Sequence, residues 1–406
     1  MRPESGTPLD FYTRKVVYLV LRAAFATALA GAWLYSRLFR GASRRPAAVR
    51  SIAAVWYWPA DFPSASRTRL GIWKERFERE GIRFDNFHVG RMDELVRERD
   101  GGSKTRRYWF FLKILVRRWR QFFPLARYDV VWIDRWFWPH FPLKRAWFER
   151  CLRRMVPRLV IDSSDGSDYV GAPALVLDVM SLADRITVAY KGLYDFYTPR
   201  FPDVVRFEYP IIEDGYRVRA HHRAPEQFVL GWMGSPTNFA YLKSIEGELR
   251  KAARRRPVRI VVICREKVEL DIPEATISYH PYGDDYFGLI ESFDIGLAPF
   301  TVDDFSTSGK IGMKHQEFLL CAVPQVCSPV GISEHVVDGE HALVARRLED
   351  WSPAILRLMD DEALRSRLAR NGRELCLRHY TVAGQWAIVR RALTVFDTPA
   401  PPSARR

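Results

Sequence analysis

Residues 294–300 read D-I-G-L-A-P-F, and 308–343 read S-G-K-I-G-M-K-H-Q-E-F-L-L-C-A-V-P-Q-V-C-S-P-V-G-I-S-E-H-V-V-D-G-E-H-A-L. The apolar run Ile295 to Pro299 predicts a buried strand. It feeds a loop holding Gly309 and Gly312, and a helix is expected to begin near Met313. A loop of this kind turns backbone N–H groups and the positive end of a helix toward whatever it encloses, which suits an anion. Lys310 and Lys314 place two cations there, enough to neutralise a diphosphate without a divalent metal. Glu317, about one turn into the helix, can accept hydrogen bonds from sugar hydroxyls. The phosphate-loop pattern G-x-x-x-x-G-K-[ST] is absent, and the glycines and lysines by themselves favour an ordinary loop before a core helix, with solvated lysines and an exposed glutamate.

On either side of this stretch, short apolar runs alternate with amphipathic segments, the pattern of βαβ units around a parallel sheet. Ile52 to Tyr57, Val130 to Ile133, Leu159 to Ile161 and Ile186 to Ala189 are expected as strands of a first sheet. Phe228 to Trp232, Ile260 to Ile263, Ile295 to Pro299, Gln325 to Cys327 and Ala342 to Ala345 are expected in a second. Each set predicts one doubly wound domain. Between them the polar segment from Tyr209 and Pro210 to Pro225 reads as a hinge. The expected divisions are 1–48 as a membrane-associated segment, 49–209 as an N-terminal Rossmann-like domain, 210–381 as a C-terminal one, and 398–406 as a disordered tail. A helix within 382–397, read as running from about Gln385 to Phe396, is expected to complete the first domain.

The chain has 406 residues, room for two cores, and 63 Lys and Arg against 48 Asp and Glu, a formal charge of +15. That excess calls for an anionic partner but does not choose among nucleic acid, membrane and phosphorylated substrate. No nucleic-acid module is recognisable, so nucleic acid is not expected as a partner. The five cysteines are scattered, and neither they nor the nine histidines fall at metal-ligand spacings. Buried free thiols and no metal are expected.

The apolar run Val16 to Leu38 is interrupted by Arg22 and followed by Arg37, Arg40, Arg44 and Arg45. It reads as a membrane segment lying in the interface or spanning, with an ordinary helix packed on the body as the alternative. Arg22 is costly for a spanning helix, about 2.5 to 3.5 kcal/mol on insertion scales. The basic, aromatic stretches Lys104 to Phe123 and Trp136 to Arg154 mix core residues with arginines that suit anionic headgroups.

The 294–343 stretch resembles group 1, or family 4, of the GT-B glycosyltransferases. Asp294 to Pro299, Gly309 with Lys310, Lys314 with Glu317, Pro324, Ser328, Gly331, Glu334 and Val336 to Gly339 fall on the family's motifs. So do Gly231 to Pro236 and Arg365 to Arg373, while Ser64, Ser66, Arg67, Arg69, Arg135 and Asp162 to Asp165 match more loosely. The resemblance implies an α/β fold of GT-B architecture, two Rossmann-like doubly wound domains facing a central cleft. It implies transfer of a sugar from a nucleoside diphosphate sugar to a lipid-linked or cell-surface saccharide, with retention and with no metal or other cofactor. Lys310, Lys314 and Glu317 would be the catalytic residues. Gly234, Ser235, Arg265, Gly309, Gly312 and Met313 would bind the donor. Ser66, Arg67, Arg135 and Asp165 would lie on the acceptor side. The partners implied are the nucleotide sugar and the acceptor, while the basic stretches and the arginines after the apolar run add the expectation of an anionic membrane surface at the cytoplasmic face of the cell membrane. The family often carries a second glutamate where this chain has Gly309, which keeps open an inactive GT-B subunit that binds carbohydrate or assists assembly.

Overall fold

The structure, a computed structural model, describes residues 8–38, 46–57, 69–90, 94, 104–138, 145–166, 173–266, 268–281, 286–301 and 312–396. The chain divides into two compact units. The first is Met1–Ala189, Tyr194–Phe207 and Ala387–Arg406, and the second is Tyr190–Leu193 with Glu208–Trp386.

The first unit is built on a parallel sheet of β1 (Ser51–Val55), β2 (Arg83–Phe87), β3 (Val130–Asp134), β4 (Arg158–Ser163), β5 (Arg185–Val188) and β6 (Val204–Arg206), in the order β2-β1-β3-β4-β5-β6. Its inner strands are buried along nearly their whole length, as a sheet covered by helices on both faces requires. Inside the unit, Arg69 and Asp162 form an ion pair with both side chains fully buried. Arg69 Nε donates to both carboxylate oxygens at 3.0 Å, Thr187 Oγ1 donates to Oδ1 at 2.5 Å, and the remaining guanidinium reaches the Phe207 carbonyl.

The second unit holds β7 (Phe228–Met233), β8 (Val258–Ile263), β9 (Thr276–His280), β10 (Ile295–Ala298), β11 (Gln325–Cys327) and β12 (Leu343–Val344), all parallel, in the order β12-β11-β10-β7-β8-β9. Side chains alternate as a pleat demands. Phe228, Leu230 and Trp232 enter one core with Ile260, Val262, Leu297 and Trp351, while Met233 enters the other with Val261, Ile263, Phe293 and Phe318. All nine strands expected from apolar runs are present. The three that were not expected, β2, β6 and β9, lie at sheet edges.

Helix Pro8–Leu38 packs along helices Lys104–Phe122 and Trp147–Met155 of the first unit. Leu21, Ala28, Ala32 and Ser36 form its buried stripe. Phe25 meets Trp138 and Phe148 at 6.0 and 5.2 Å between ring centroids, and Tyr35 meets Phe123 at 4.8 Å. The last helix, Val382–Thr394, starts earlier than its apolar pattern suggests because Thr381 caps it, its Oγ1 accepting the Gly384 N–H at 3.1 Å. Its far end is clamped by Arg185, which donates to the carbonyls of Ala392 and Val395 at 2.8 and 2.6 Å while pairing with Asp203.

The segment expected as a hinge is fastened to the second unit. Ile211 N–H donates to the Tyr380 carbonyl at 2.6 Å, Arg219 pairs with Asp294, and Arg365 donates to the His222 carbonyl. All five cysteines are free and buried.

Candidate functional site

In the second sheet the chain runs outward from β7 through β8 to β9, then returns to place β10 on the other side of β7. The loops that leave β7 and β10 therefore diverge, and such a switch point opens a crevice beyond the carboxyl ends of the strands. The β7 loop is Gly234 and Ser235 followed by the tight turn Pro236–Asn238. The β10 loop starts with Pro299 and Phe300, and the chain is described again from Gly312, the N-cap of helix Met313–Leu320.

The described ends of this loop are held by the segment that follows β11. Phe300 N–H donates to Ser328 Oγ at 3.0 Å, and Gly312 N–H donates to the Gly331 carbonyl at 2.8 Å. Gly331 has φ +77°, and a Cβ there would lie 2.7 Å from the Phe300 ring, so only glycine fits. Two expectations change here. The N–H of Gly312 is already committed to Gly331 and is not one of the groups that would hold a phosphate. A Cβ on Gly234 would fall 2.7 Å from the Trp232 ring, so that glycine is required by packing on the indole. Ser235 Oγ lies 2.8 Å from Thr237 Oγ1, and Met313 is exposed. Among the described residues, helix Met313–Leu320 has no side-chain cap, and its first turn carries no acidic residue, so its positive end suits an anion.

Lys314 lies in that first turn. Its Nζ stands 4.8 Å from the centroid of the Trp232 ring and is fully enclosed, with no hydrogen-bond partner among the described residues. Burial draws the ammonium down from 10.5 to about 8, with Glu317 opposing the shift. The face of an indole gives a cation modest stabilisation, well short of its lost hydration.

Glu317, one turn on, is 5% exposed. The hydroxyls of Tyr216 and Tyr286 donate to its Oε1 at 2.6 and 2.7 Å. Burial raises its carboxyl above the ordinary range, and those two hydroxyls and Lys314 counter the shift. One of its oxygens is therefore occupied by protein rather than open to a sugar. Neither tyrosine was expected at this site. Tyr216 comes from the segment read as a hinge and Tyr286 from the helix Tyr286–Glu291, and no spacing in the sequence links either to Glu317.

The remaining expected residues divide by position. Gly309, Lys310, Ser66 and Arg67 lie outside the described residues. Arg265 is exposed just beyond the end of β8. In the first unit, Arg135 follows β3 and Asp165 follows β4, both at carboxyl ends of strands. Arg135 has φ +66°, a left-handed conformation that few arginines adopt, held by its N–H donating to the Asp162 carbonyl at 2.9 Å. Asp162 and Arg69, which fall on the same loose resemblance, are sealed in their mutual ion pair and face no ligand. Among the described residues, no three His, Cys, Asp or Glu side chains gather as a metal site.

Residues 247–389 match the family described as glycosyl transferase-like. No curated protein sequence matches the chain. Solved structures with the same fold include sucrose-phosphate synthase from Thermosynechococcus elongatus, with TM-score 0.59 and 13% identity over 84% of this chain and 98% of that one. Another is HepE from Anabaena in complex with UDP and glucose, with TM-score 0.56 and 12% identity over 84% and 98%. A third is a glycosyltransferase from Rickettsia africae, with TM-score 0.55 and 11% identity over 84% and 96%. The shared architecture is the GT-B fold, two Rossmann-like units each on a parallel sheet.

Proposed function

Since residues 247–389 form a glycosyl transferase-like domain within a GT-B fold, we propose that this chain transfers a sugar from a nucleoside diphosphate donor to a saccharide acceptor. The observation that carries the reading is Lys314, an enclosed cation with no hydrogen-bond partner among the described residues, at the positive end of a helix and at the switch point of the second sheet. HepE, which shares the fold, was solved with UDP and glucose.

In the reaction, the bond from the anomeric carbon to the diphosphate oxygen breaks and its electron pair leaves with the diphosphate. An acceptor hydroxyl bonds to the same carbon and passes its proton to an oxygen of the departing diphosphate. Negative charge grows on the leaving group as the sugar becomes oxocarbenium-like. A fixed ammonium and a helix dipole stabilise that charge more in the transition state than before it. Lys314 would serve in this way beside Lys310, and the reading needs no divalent metal. Retention of configuration and a lipid-linked or cell-surface acceptor at the cytoplasmic face of the membrane belong to the same proposal. Arg135 and Asp165 are its acceptor-side candidates.

One observation favours the alternative of an inactive carbohydrate-binding or assembly subunit: Glu317, the carboxylate expected on the donor, already holds two tyrosine hydroxyls. Nucleoside diphosphates and nucleotide sugars offered to the protein separate the two readings. Thermal stabilisation with slow hydrolysis of one nucleotide sugar is expected, with Lys314→Ala and Lys310→Ala each losing roughly 3 kcal/mol of transition-state stabilisation, about a hundredfold in rate. Stabilisation without any turnover, or no response to any nucleotide, would refute the transferase reading and favour the inactive subunit.

A further inference from the structure

We propose that helix Pro8–Leu38 lies in the membrane plane, with its exposed face and that of helix Lys104–Phe122 beside it docking the first unit onto an anionic bilayer. The inference rests on the membrane placement proposed above and not on the glycosyl transfer.

The helix has two faces with different work. One is sealed against the unit by the Phe25 and Tyr35 ring contacts, and Gly31 lets Trp119 approach so closely that a Cβ would fall 2.5 Å from the indole. Withdrawing the helix to span a bilayer would leave Trp119, Phe123, Trp138 and Phe148 without that cover. The other face is apolar and open. Residues Leu19–Leu38 have a mean hydropathy of 1.4 yet are only 22% buried, the reverse of a soluble core helix. Leu34 and Leu38 are 57% and 72% exposed, and Trp33 is 44% exposed.

The neighbouring helix continues the surface. Among its described side chains the exposed ones are Trp109, Lys113, Val116 and Arg120, spaced to fall on one stripe. Trp147 opens the third helix of the group and is 50% exposed. Most exposed large apolar side chains among the described residues sit on these three helices.

Charge identifies the occupant. No Asp or Glu occurs in 11–38 or in 104–122, whereas Arg22, Arg37, Lys113 and Arg120 are exposed. The Arg37 guanidinium sits 4.0 Å over the Trp33 ring, an amphipathic pair suited to headgroup depth. A second copy meeting this face would set cations against cations, while anionic lipid meets both its apolar and its basic residues.

The test is co-flotation of the full chain with phosphatidylcholine vesicles made with and without phosphatidylglycerol, followed by alkaline carbonate extraction. The expected result is flotation at least about tenfold stronger with the anionic lipid, release by carbonate, and loss of flotation in L34E/W109E with unchanged thermal unfolding. Both positions are exposed, so the variant should fold, and K113E/R120E should lose the lipid selectivity by a second route. A parent that floats with neither vesicle overturns the membrane placement itself. A parent and an L34E/W109E variant that float alike overturn this face alone. Carbonate resistance would make the helix spanning, and a dimer broken by L34E/W109E would make the occupant a second copy; either result refutes the proposal.

Discussion

Replacing Lys314 with methionine should make the protein more stable and a weaker ligand for nucleoside diphosphates. In the folded chain the ammonium titrates at about 8 against an ordinary 10.5, which at about 1.36 kcal/mol per pH unit makes the charge cost roughly 3 kcal/mol. Methionine fills similar volume and carries no charge, and it stacks on an indole as readily as the lysine stem does. Allowing for the attraction to the Trp232 face that is lost, the net gain should be roughly 1 to 2 kcal/mol at neutral pH. The pH dependence gives a sharper signature. Between about 8 and 10.5 the unfolded parent binds more protons at this residue than the folded parent, so parent stability rises with pH across that window. The variant lacks that rise, and its advantage therefore vanishes toward the upper end. Diphosphate binding should move the other way, with a loss of roughly 2 to 3 kcal/mol, about 30- to 150-fold in affinity. Denaturant unfolding across that pH range and calorimetric titration of a nucleoside diphosphate measure both quantities. A methionine variant that is less stable than the parent and binds nucleotide equally well would make Lys314 a structural residue and remove the basis of the proposed site.

Other substitutions probe other parts of the molecule. Gly331→Ala combines a left-handed backbone with a clash on Phe300, and should cost roughly 2 to 4 kcal/mol by urea unfolding and weaken nucleotide binding through the displaced Gly312. Tyr286→Phe removes one of two hydroxyls from the buried Glu317 carboxylate, and should cost about 1.5 to 3 kcal/mol, most of it recovered at low pH once that carboxyl is protonated. Asp162→Ala leaves Arg69 charged and buried, a loss of about 3 to 5 kcal/mol that an Arg69→Met/Asp162→Leu pair should largely reverse.

The limits of the sequence reading follow from where residues sit. Strands buried on both faces advertise themselves as apolar runs, and VVWID at β3 or FVLGWM at β7 leave little choice. Arg83–Phe87, Val204–Arg206 and Thr276–His280 are edge strands with partly exposed side chains, either very short or broken by polar residues, so none offers a long apolar run and pairing with a neighbour makes them strands. The site was legible in the same uneven way. Lys314 and Glu317 stand one turn apart and announce a helix face. That Lys314 would be enclosed over Trp232 depends on β7 passing beside the helix, and that Glu317 would be held by Tyr216 and Tyr286 depends on two other segments arriving there. Neither is a local property.

The first unit is completed by the last helix of the chain, clamped at its end by Arg185 and tied by Arg390 to Glu80. On the ribosome this imposes an order of events. The Glu208–Trp386 part of the second unit is continuous in sequence and has all its strands once translation passes β12. The first unit has its six strands much earlier yet waits for residues beyond 386 before its surface at Arg185 is covered. The amino-terminal half should therefore be the later of the two to gain full protection, and a chain stopped before Ala387 should carry a protease-sensitive first unit beside a resistant second one.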